Sequence, residues 1–153
     1  MMTLCCDVIQ TLRGKTLATA ESLTGGGIGA VLTAVPGASK VFCGGIISYT
    51  DDVKREVLGV PASVLQQQGA VSRETAMYMA AGARKVLKAD LAISVTGLAG
   101  PDGDEFGNPV GTVFIGYADE KGVTAFEYHF SGDREAVRNQ TIAAALERIL
   151  DYV

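Results

Sequence analysis

Short apolar runs alternate with amphipathic segments from Thr16 to Val95, and the pattern then changes to two alternating runs joined by a tight turn. The first pattern points to strands connected by helical crossovers on the faces of one sheet, and the second to an antiparallel hairpin. Thr3 is expected to cap a first helix through about Leu12, with Leu4, Val8 and Leu12 on one face. Thr16 to Ala20 reads as a short buried strand, broken by Ser22 to Gly27; Ile28 to Ala34 reads as a helix that ends before Pro36. Phe42 to Thr50 reads as a second strand, in which Gly44 and Gly45 mark either a weak point or a close backbone approach. Asp51 is expected to cap a short helix ending at Gly59, and Pro61 to open another ending near Gly69. Ser72 caps a longer helix whose Ala76, Ala80, Ala83 and Leu87 share a face. Leu91 to Val95 is a third strand, and Thr112 to Ala118 and Val123 to Phe130 form a hairpin around Asp119-Glu120-Lys121-Gly122. A last helix is expected from about Asp133 to Leu150, with Ile142, Leu146, Ile149 and Leu150 as its apolar stripe. The expected fold class is α/β: a three-layer α/β/α sandwich with a mixed, mostly parallel five-stranded sheet, in a single domain over residues 1–153.

Composition narrows the partners. At 48% hydrophobic and 20% charged, 153 residues can build a full core. A net charge of −4 argues against a broad nucleic-acid surface, which needs clustered cations. A small phosphorylated ligand needs only a few cations and backbone amides. No run of about 20 apolar residues suggests a membrane span. Met1 to Gln10 lacks a basic, apolar leader pattern, and Cys5, Cys6 and Cys43 have no metal-binding spacing, so reduced thiols in a cytoplasm are expected. Cys5 shares a stripe with Ile9 and Leu12 and is expected in the core.

Four segments can carry chemistry. In Ala20-Glu21-Ser22-Leu23-Thr24-Gly25-Gly26-Gly27 a serine stands where a strand ends, at the sheet edge where open α/β folds bind ligands. The glycines allow a sharp turn and leave N–H groups for an oxyanion or a phosphate; the simpler reading is a helix-capping serine. Gly25, Gly27 and Ala30, with Asp51 downstream, also match G-x-G-x-x-A, a weak dinucleotide signal that leaves Ser22 and Thr24 without a role. In Ser48-Tyr49-Thr50-Asp51-Asp52-Val53-Lys54, the lysine falls in a first helical turn beside Arg55. Both the helix dipole and Arg55 lower its pKa, Asp51 and Asp52 oppose this, and a neutral amine is a general base; a solvated lysine is the plainer alternative.

Thr96-Gly97-Leu98-Ala99-Gly100-Pro101-Asp102-Gly103 and the loop on to Gly111 border the same edge. Asp102, Asp104 and Glu105 match no complete calcium loop and read as a solvated turn. Arg134 and Arg138 share a helix face and suit either a phosphate or a salt bridge. The sole histidine, His129, is expected to be exposed, which leaves a Ser–His–Asp triad or a histidine metal site unsupported; an activated serine then needs another base, and lysine can serve.

Thr19 to Gly26 (T-A-E-S-x-T-G-G), Ser48 to Lys54 (S-Y-T-x-x-x-K), Gly69 to Ser72 (G-A-V-S), Gly97 to Gly103 (G-x-A-G-P-D-G), Pro109 to Val113 (P-V-G-T-V) and Ser131 to Arg138 (S-G-D-R-x-x-V-R) occur in this order. Together they resemble the C-terminal domain family of the CinA competence/damage-inducible proteins, in its stand-alone form, from about Thr16 to the end. The resemblance implies hydrolysis of nicotinamide mononucleotide to nicotinate mononucleotide and ammonia, in pyridine nucleotide salvage. It implies Ser22 as nucleophile, Lys54 as base and Tyr49 assisting. Substrate is expected against Thr24, Gly25, Gly26, Thr96, Gly97, Gly100, Arg134 and Arg138: backbone amides near Thr24 to Gly26 or Gly97 to Gly100 would hold the oxyanion, and Arg134, Arg138 or the glycine-rich loops would grip ribose and phosphate. No metal or organic cofactor is expected. The expected partners are that small-molecule substrate and further copies of the chain in a homo-oligomer, without nucleic acid or membrane. A non-catalytic nucleotide-binding module and a Ser–Lys amidase for another amide are the alternatives.

Overall fold

A computed structural model describes all 153 residues. Its elements are α1 (Met2–Thr11), β1 (Leu17–Glu21), α2 (Gly27–Thr33), a 3-10 turn (Ala38–Lys40), β2 (Phe42–Ile47), α3 (Asp51–Glu56), α4 (Ala62–Gln67), α5 (Arg73–Val86), β3 (Leu91–Gly97), β4 (Thr112–Asp119), β5 (Gly122–His129) and α6 (Arg134–Tyr152). The order matches the expected one. Local differences have local causes. Met1 precedes α1 and no side chain caps it, so Thr3 is not its cap. Thr50, not Asp51, caps α3, its hydroxyl accepting the Val53 N–H at 3.4 Å. Ser72 and Asp133 cap α5 and α6 through the N–H groups of Thr75 and Ala136.

The five strands lie in the order β2-β1-β3-β4-β5. β1 pairs parallel with β2 and with β3, while β3–β4 and β4–β5 are antiparallel. The sheet is therefore mixed, as expected, but its pairings divide evenly rather than being mostly parallel. The reason is that β4 follows β3 by a loop and runs back beside it, so that one strand contributes both antiparallel pairs.

The two faces of the sheet are packed differently. On one, α1, α2 and α6 bring Val8, Leu12, Ile28, Leu32, Leu146 and Ile149 against Leu17, Ile93 and Ile115, together with the buried Cys5. On the other, α5 presents Ala76, Ala80 and Ala83, so its backbone lies close to the strands. Any side chain at Gly116 of β4 would strike the Ala76 carbonyl. Gly45 answers its sequence question in the same way, since a methyl group there would overlap the Thr19 hydroxyl of the neighbouring strand. The parallel strands β1, β2 and β3 end at a common edge, where the register brings Ser22, Ser48 and Thr96 side by side. No helix is long and apolar enough to cross a membrane.

Candidate active site

β1 carries the chain to the carboxyl edge, and the Ser22 N–H extends the ladder by donating to the Val95 carbonyl at 3.1 Å. The chain then turns, with the Gly25 N–H on the Ser22 carbonyl at 3.1 Å. Gly26 precedes α2 with φ +101°, a left-handed conformation that glycine adopts without a Cβ penalty. From β2 the chain passes through Ser48 and enters α3, and the fourth residue of that helix, Lys54, turns inward. Lys54 is 1% exposed and Ser22 7%. Lys54 Nζ donates to the Ser48 carbonyl at 2.7 Å and lies 3.0 Å from Ser22 Oγ, across 32 positions of sequence.

No carboxylate pairs with this buried ammonium; on the outer face of α3 Asp52 and Glu56 lie 3.2 and 3.3 Å from Arg55. Burial pushes the Lys54 pKa down from 10.5 to about 8, and the charge of Asp51 opposes the shift. The dominant cause is thus desolvation, not the helix dipole and Arg55 that the local sequence suggested. A neutral Lys54 keeps an N–H on the Ser48 carbonyl and turns its lone pair toward the Ser22 hydroxyl. That is the arrangement a general base needs.

A cavity of about 500 Å³ opens above the pair. Its wall includes Tyr49, Thr96, Gly97, Gly100 and Arg134. Thr96 is buried and donates to the Ala70 carbonyl at 2.7 Å, which fixes the segment between α4 and α5 against β3. At the mouth, Arg134 donates to the Gly100 carbonyl at 2.7 Å and to the Tyr49 hydroxyl at 3.0 Å. Tyr49 is 59% exposed. Its hydroxyl faces Arg134 and bonds to neither Ser22 nor Lys54, so Tyr49 is a rim residue and not a proton relay in this arrangement. The backbone N–H groups of Leu23, Ala99 and Gly100, all residues of the cavity wall, have no partner within the protein, whereas Leu98 donates to the Thr112 carbonyl at 2.9 Å.

Several residues expected to touch substrate do not line the cavity. Thr24 is buried and donates to Glu21 Oε1 at 2.5 Å, and Gly25 and Gly26 form the turn behind Ser22. Arg138 is held by the carbonyls of Leu23 (Nε, 3.0 Å) and Thr24 (Nη2, 3.1 Å). It faces backbone because α6 packs behind the turn, one helical turn away from the mouth that Arg134 occupies. Asp104 accepts from the N–H groups of Phe106 and Asn108 at 3.1 and 2.9 Å and from Asn108 Nδ2 at 2.8 Å, so its oxygens fold the loop. His129 is exposed on the edge strand β5, 2.6 Å from Glu127.

Two further residues that build the site, Glu21 and Ser48, stand in the motifs without being singled out by spacing. Glu21 is 2% exposed, and besides Thr24 it accepts from the N–H groups of Ile28 at 2.8 Å and Gly29 at 3.1 Å. This carboxylate occupies the start of α2, where a dinucleotide pyrophosphate would have to sit, and so the G-x-G-x-x-A reading fails. The available signal was an acid directly before the turn, ahead of a helix with no acidic residue in its own first turn. Ser48 anchors β2 to β1 by donating its N–H to the Glu21 carbonyl at 2.7 Å, and its own carbonyl receives Lys54.

Residues 3–153 match the CinA C-terminal domain. A CinA-like protein of Geobacter metallireducens is 49% identical over 134 residues, which are 88% of this chain and 32% of that protein. A CinA-like protein of Thermotoga maritima is 43% identical over 92% of this chain and 34% of its own length. The chain thus spans about a third of the length of these relatives. Among solved structures, a competence-damaged protein (CinA) superfamily protein from Escherichia coli superposes with a TM-score of 0.97 at 34% identity, covering 99% of this chain and 90% of that one. The competence/damage inducible protein CihA from Agrobacterium tumefaciens does so with a TM-score of 0.94 at 38% identity, covering 98% and 93%. Sequence and fold agree, and the chain belongs to the CinA C-terminal domain family.

Proposed function

We propose that this chain is an amidohydrolase that converts nicotinamide mononucleotide to nicotinate mononucleotide and ammonia, with Ser22 as nucleophile and Lys54 as base. The observation that carries the reading is the 3.0 Å approach of Ser22 Oγ to a buried lysine that has no carboxylate partner. A lysine in that state has an accessible neutral form, and the only atom besides the Ser48 carbonyl within its hydrogen-bond reach is the serine hydroxyl. A capping serine and a solvated lysine would need no such burial.

In this mechanism neutral Lys54 takes the Ser22 proton as Oγ attacks the carboxamide carbon. The Leu23 N–H and the free amides of Ala99 and Gly100 receive the developing oxyanion. The tetrahedral intermediate collapses as Lys54 returns the proton to the leaving nitrogen, and ammonia departs. Water, deprotonated by Lys54, then cleaves the acyl-enzyme and frees Ser22. Arg134 at the mouth offers the fork geometry that a phosphate needs, with Gly97, Gly100 and Thr96 in the adjoining wall. The mechanism uses no metal or organic cofactor. Such an activity belongs to pyridine nucleotide salvage, and a homo-oligomer in the cytoplasm remains the proposed setting. The test is ammonia release from nicotinamide mononucleotide by the pure protein, with and without a chelator. Release that persists with chelator and disappears in Ser22→Ala supports the reading; loss on chelation, or equal release by Ser22→Ala, overturns it.

A further inference from the structure

The three peptide units that follow Ser22 are all pinned from outside the cavity. The Ser22 carbonyl holds the Gly25 N–H at 3.1 Å. The Leu23 carbonyl is held by Arg138 Nε at 3.0 Å, and the Thr24 carbonyl by Arg138 Nη2 at 3.1 Å. A trans peptide is planar, so the N–H of each unit points opposite to its carbonyl. Fixing a carbonyl therefore fixes the N–H of the next residue: the Thr24 carbonyl sets the Gly25 N–H, which holds the Ser22 carbonyl, which in turn sets the Leu23 N–H. Leu23 lines the cavity, directly follows the nucleophile, and has an N–H with no partner within the protein. On the far side Glu21 ties down the same turn through the Thr24 hydroxyl at 2.5 Å.

From this geometry we infer that Arg138 is a positioning residue: anchored on α6, it clamps the Leu23 and Thr24 carbonyls, which sets the Thr24 and Gly25 amides, and through the Gly25 N–H on the Ser22 carbonyl it holds the Leu23 amide ready as an oxyanion donor beside Ser22. The inference rests on the proposed acyl chemistry at Ser22 and adds to it a part that touches no substrate. It separates the two arginines of one helix face. Arg134 reaches the cavity, whereas Arg138 acts through backbone. A guanidinium suits the task because its fork spans two successive carbonyls, which a single ammonium cannot do with the same geometry.

The experiment compares wild type with Arg138→Met and Arg138→Lys in the full chain. It measures kcat and KM for nicotinamide mononucleotide, the affinity for the planar product nicotinate mononucleotide, and the affinity for pyridine-3-boronic acid. The boronic acid bonds through boron to Ser22 Oγ, the serine proton passes to Lys54, and the tetrahedral boronate mimics the oxyanion. Arg138→Met is expected to lower kcat by about 10²-fold, the scale of misplacing a catalytic group by about 1 Å. The boronate affinity should fall in parallel, while KM and product affinity stay within about twofold, changes too small to count against the one-decade scale of a lost contact. Arg138→Lys, which keeps a cation but only one donor nitrogen, should lie between the two and gives the contrast if the Met variant does not fold. Unchanged kcat and boronate affinity in both variants, or a raised KM and weakened product binding at constant kcat, would overturn the inference. If wild type forms the boronate adduct but releases no ammonia, the substrate assignment fails while the boronate contrast still decides the clamp. If wild type does neither, Ser22 is not a nucleophile and the clamp falls with it.

Discussion

The floor and the mouth of the cavity are built on opposite principles. At the floor, Lys54 and Ser22 are almost completely buried and the contacts are two bonds from a single nitrogen. At the mouth, Tyr49 and Arg134 are exposed and lean on each other and on the Gly100 carbonyl. The same hydrogen-bonding chemistry has different consequences in the two places. Burial removes water from Lys54 and brings its proton affinity toward neutral pH, whereas water around Arg134 leaves its charge intact and weakens each bond it makes. The floor is suited to moving a proton, the mouth to gripping an anion.

The contrast breaks most sharply at the nucleophile. Ser22→Ala should lower turnover by at least about 10⁴-fold, the scale at which a catalytic serine is lost, and leave substrate affinity measurable by calorimetry. Lys54→Ala should cost at least about 10²-fold in kcat, the usual scale for a general base. Lys54→Arg should not restore it, because a guanidinium stays protonated. Steady-state kinetics on the three variants checks both claims; an active Lys54→Arg enzyme would remove lysine from the proton-transfer role.

The pH response sharpens the same point. In the proposed mechanism only neutral Lys54 takes the serine proton, so kcat/KM should climb roughly tenfold per pH unit up to about 8 and then level off. Stability has its own signature. The folded protein releases this proton near pH 8 and the unfolded chain near 10.5. Between those values the unfolded state holds a proton that the folded state lacks, so stability rises with pH; below pH 8 both states are protonated and the cost of burying the charge is fully present. Relative to Lys54→Met, wild type should gain up to about 3 kcal/mol across that window, read from urea unfolding at a series of pH values.

At the mouth the effects are smaller and of another kind. Arg134→Ala should raise KM about tenfold, as loss of one charge-assisted contact predicts, with kcat changed far less. A fall in kcat alone would move Arg134 from grip to chemistry. Smallest of all, His129→Ala on β5 should leave turnover unchanged within assay error, because its partners are the exposed Glu127 and the Thr112 hydroxyl and it does not line the cavity.

Much of the fold was legible because its signals are local. Every helix and strand expected from periodicity is present, with ends displaced by a few residues at most strand and cap positions, such as Thr50 in place of Asp51. Parallel against antiparallel pairing was only partly legible, since the direction of β4 relative to β3 is settled by a loop of irregular sequence and not by a periodic one. At the site, Ser22 and Lys54 stood out as residue types in motifs. The division of labour between Arg134 and Arg138 did not, because two residues four apart on a helix look alike until the partner surface is known.

Taken alone, the sequence determined the order of elements, the two apolar faces, and the fact that a serine sits at the end of one strand and a lysine in the first turn of the helix after the next; each of these follows from short-range periodicity and turn chemistry. Only the tertiary structure decided that Lys54 is buried, that desolvation and not the helix dipole sets its protonation, that Glu21 fills the start of α2, and that Arg138 grips backbone instead of substrate. Burial is a sum over neighbours from distant parts of the chain, here residues 32 and more than 100 positions apart, and no local pattern carries that sum.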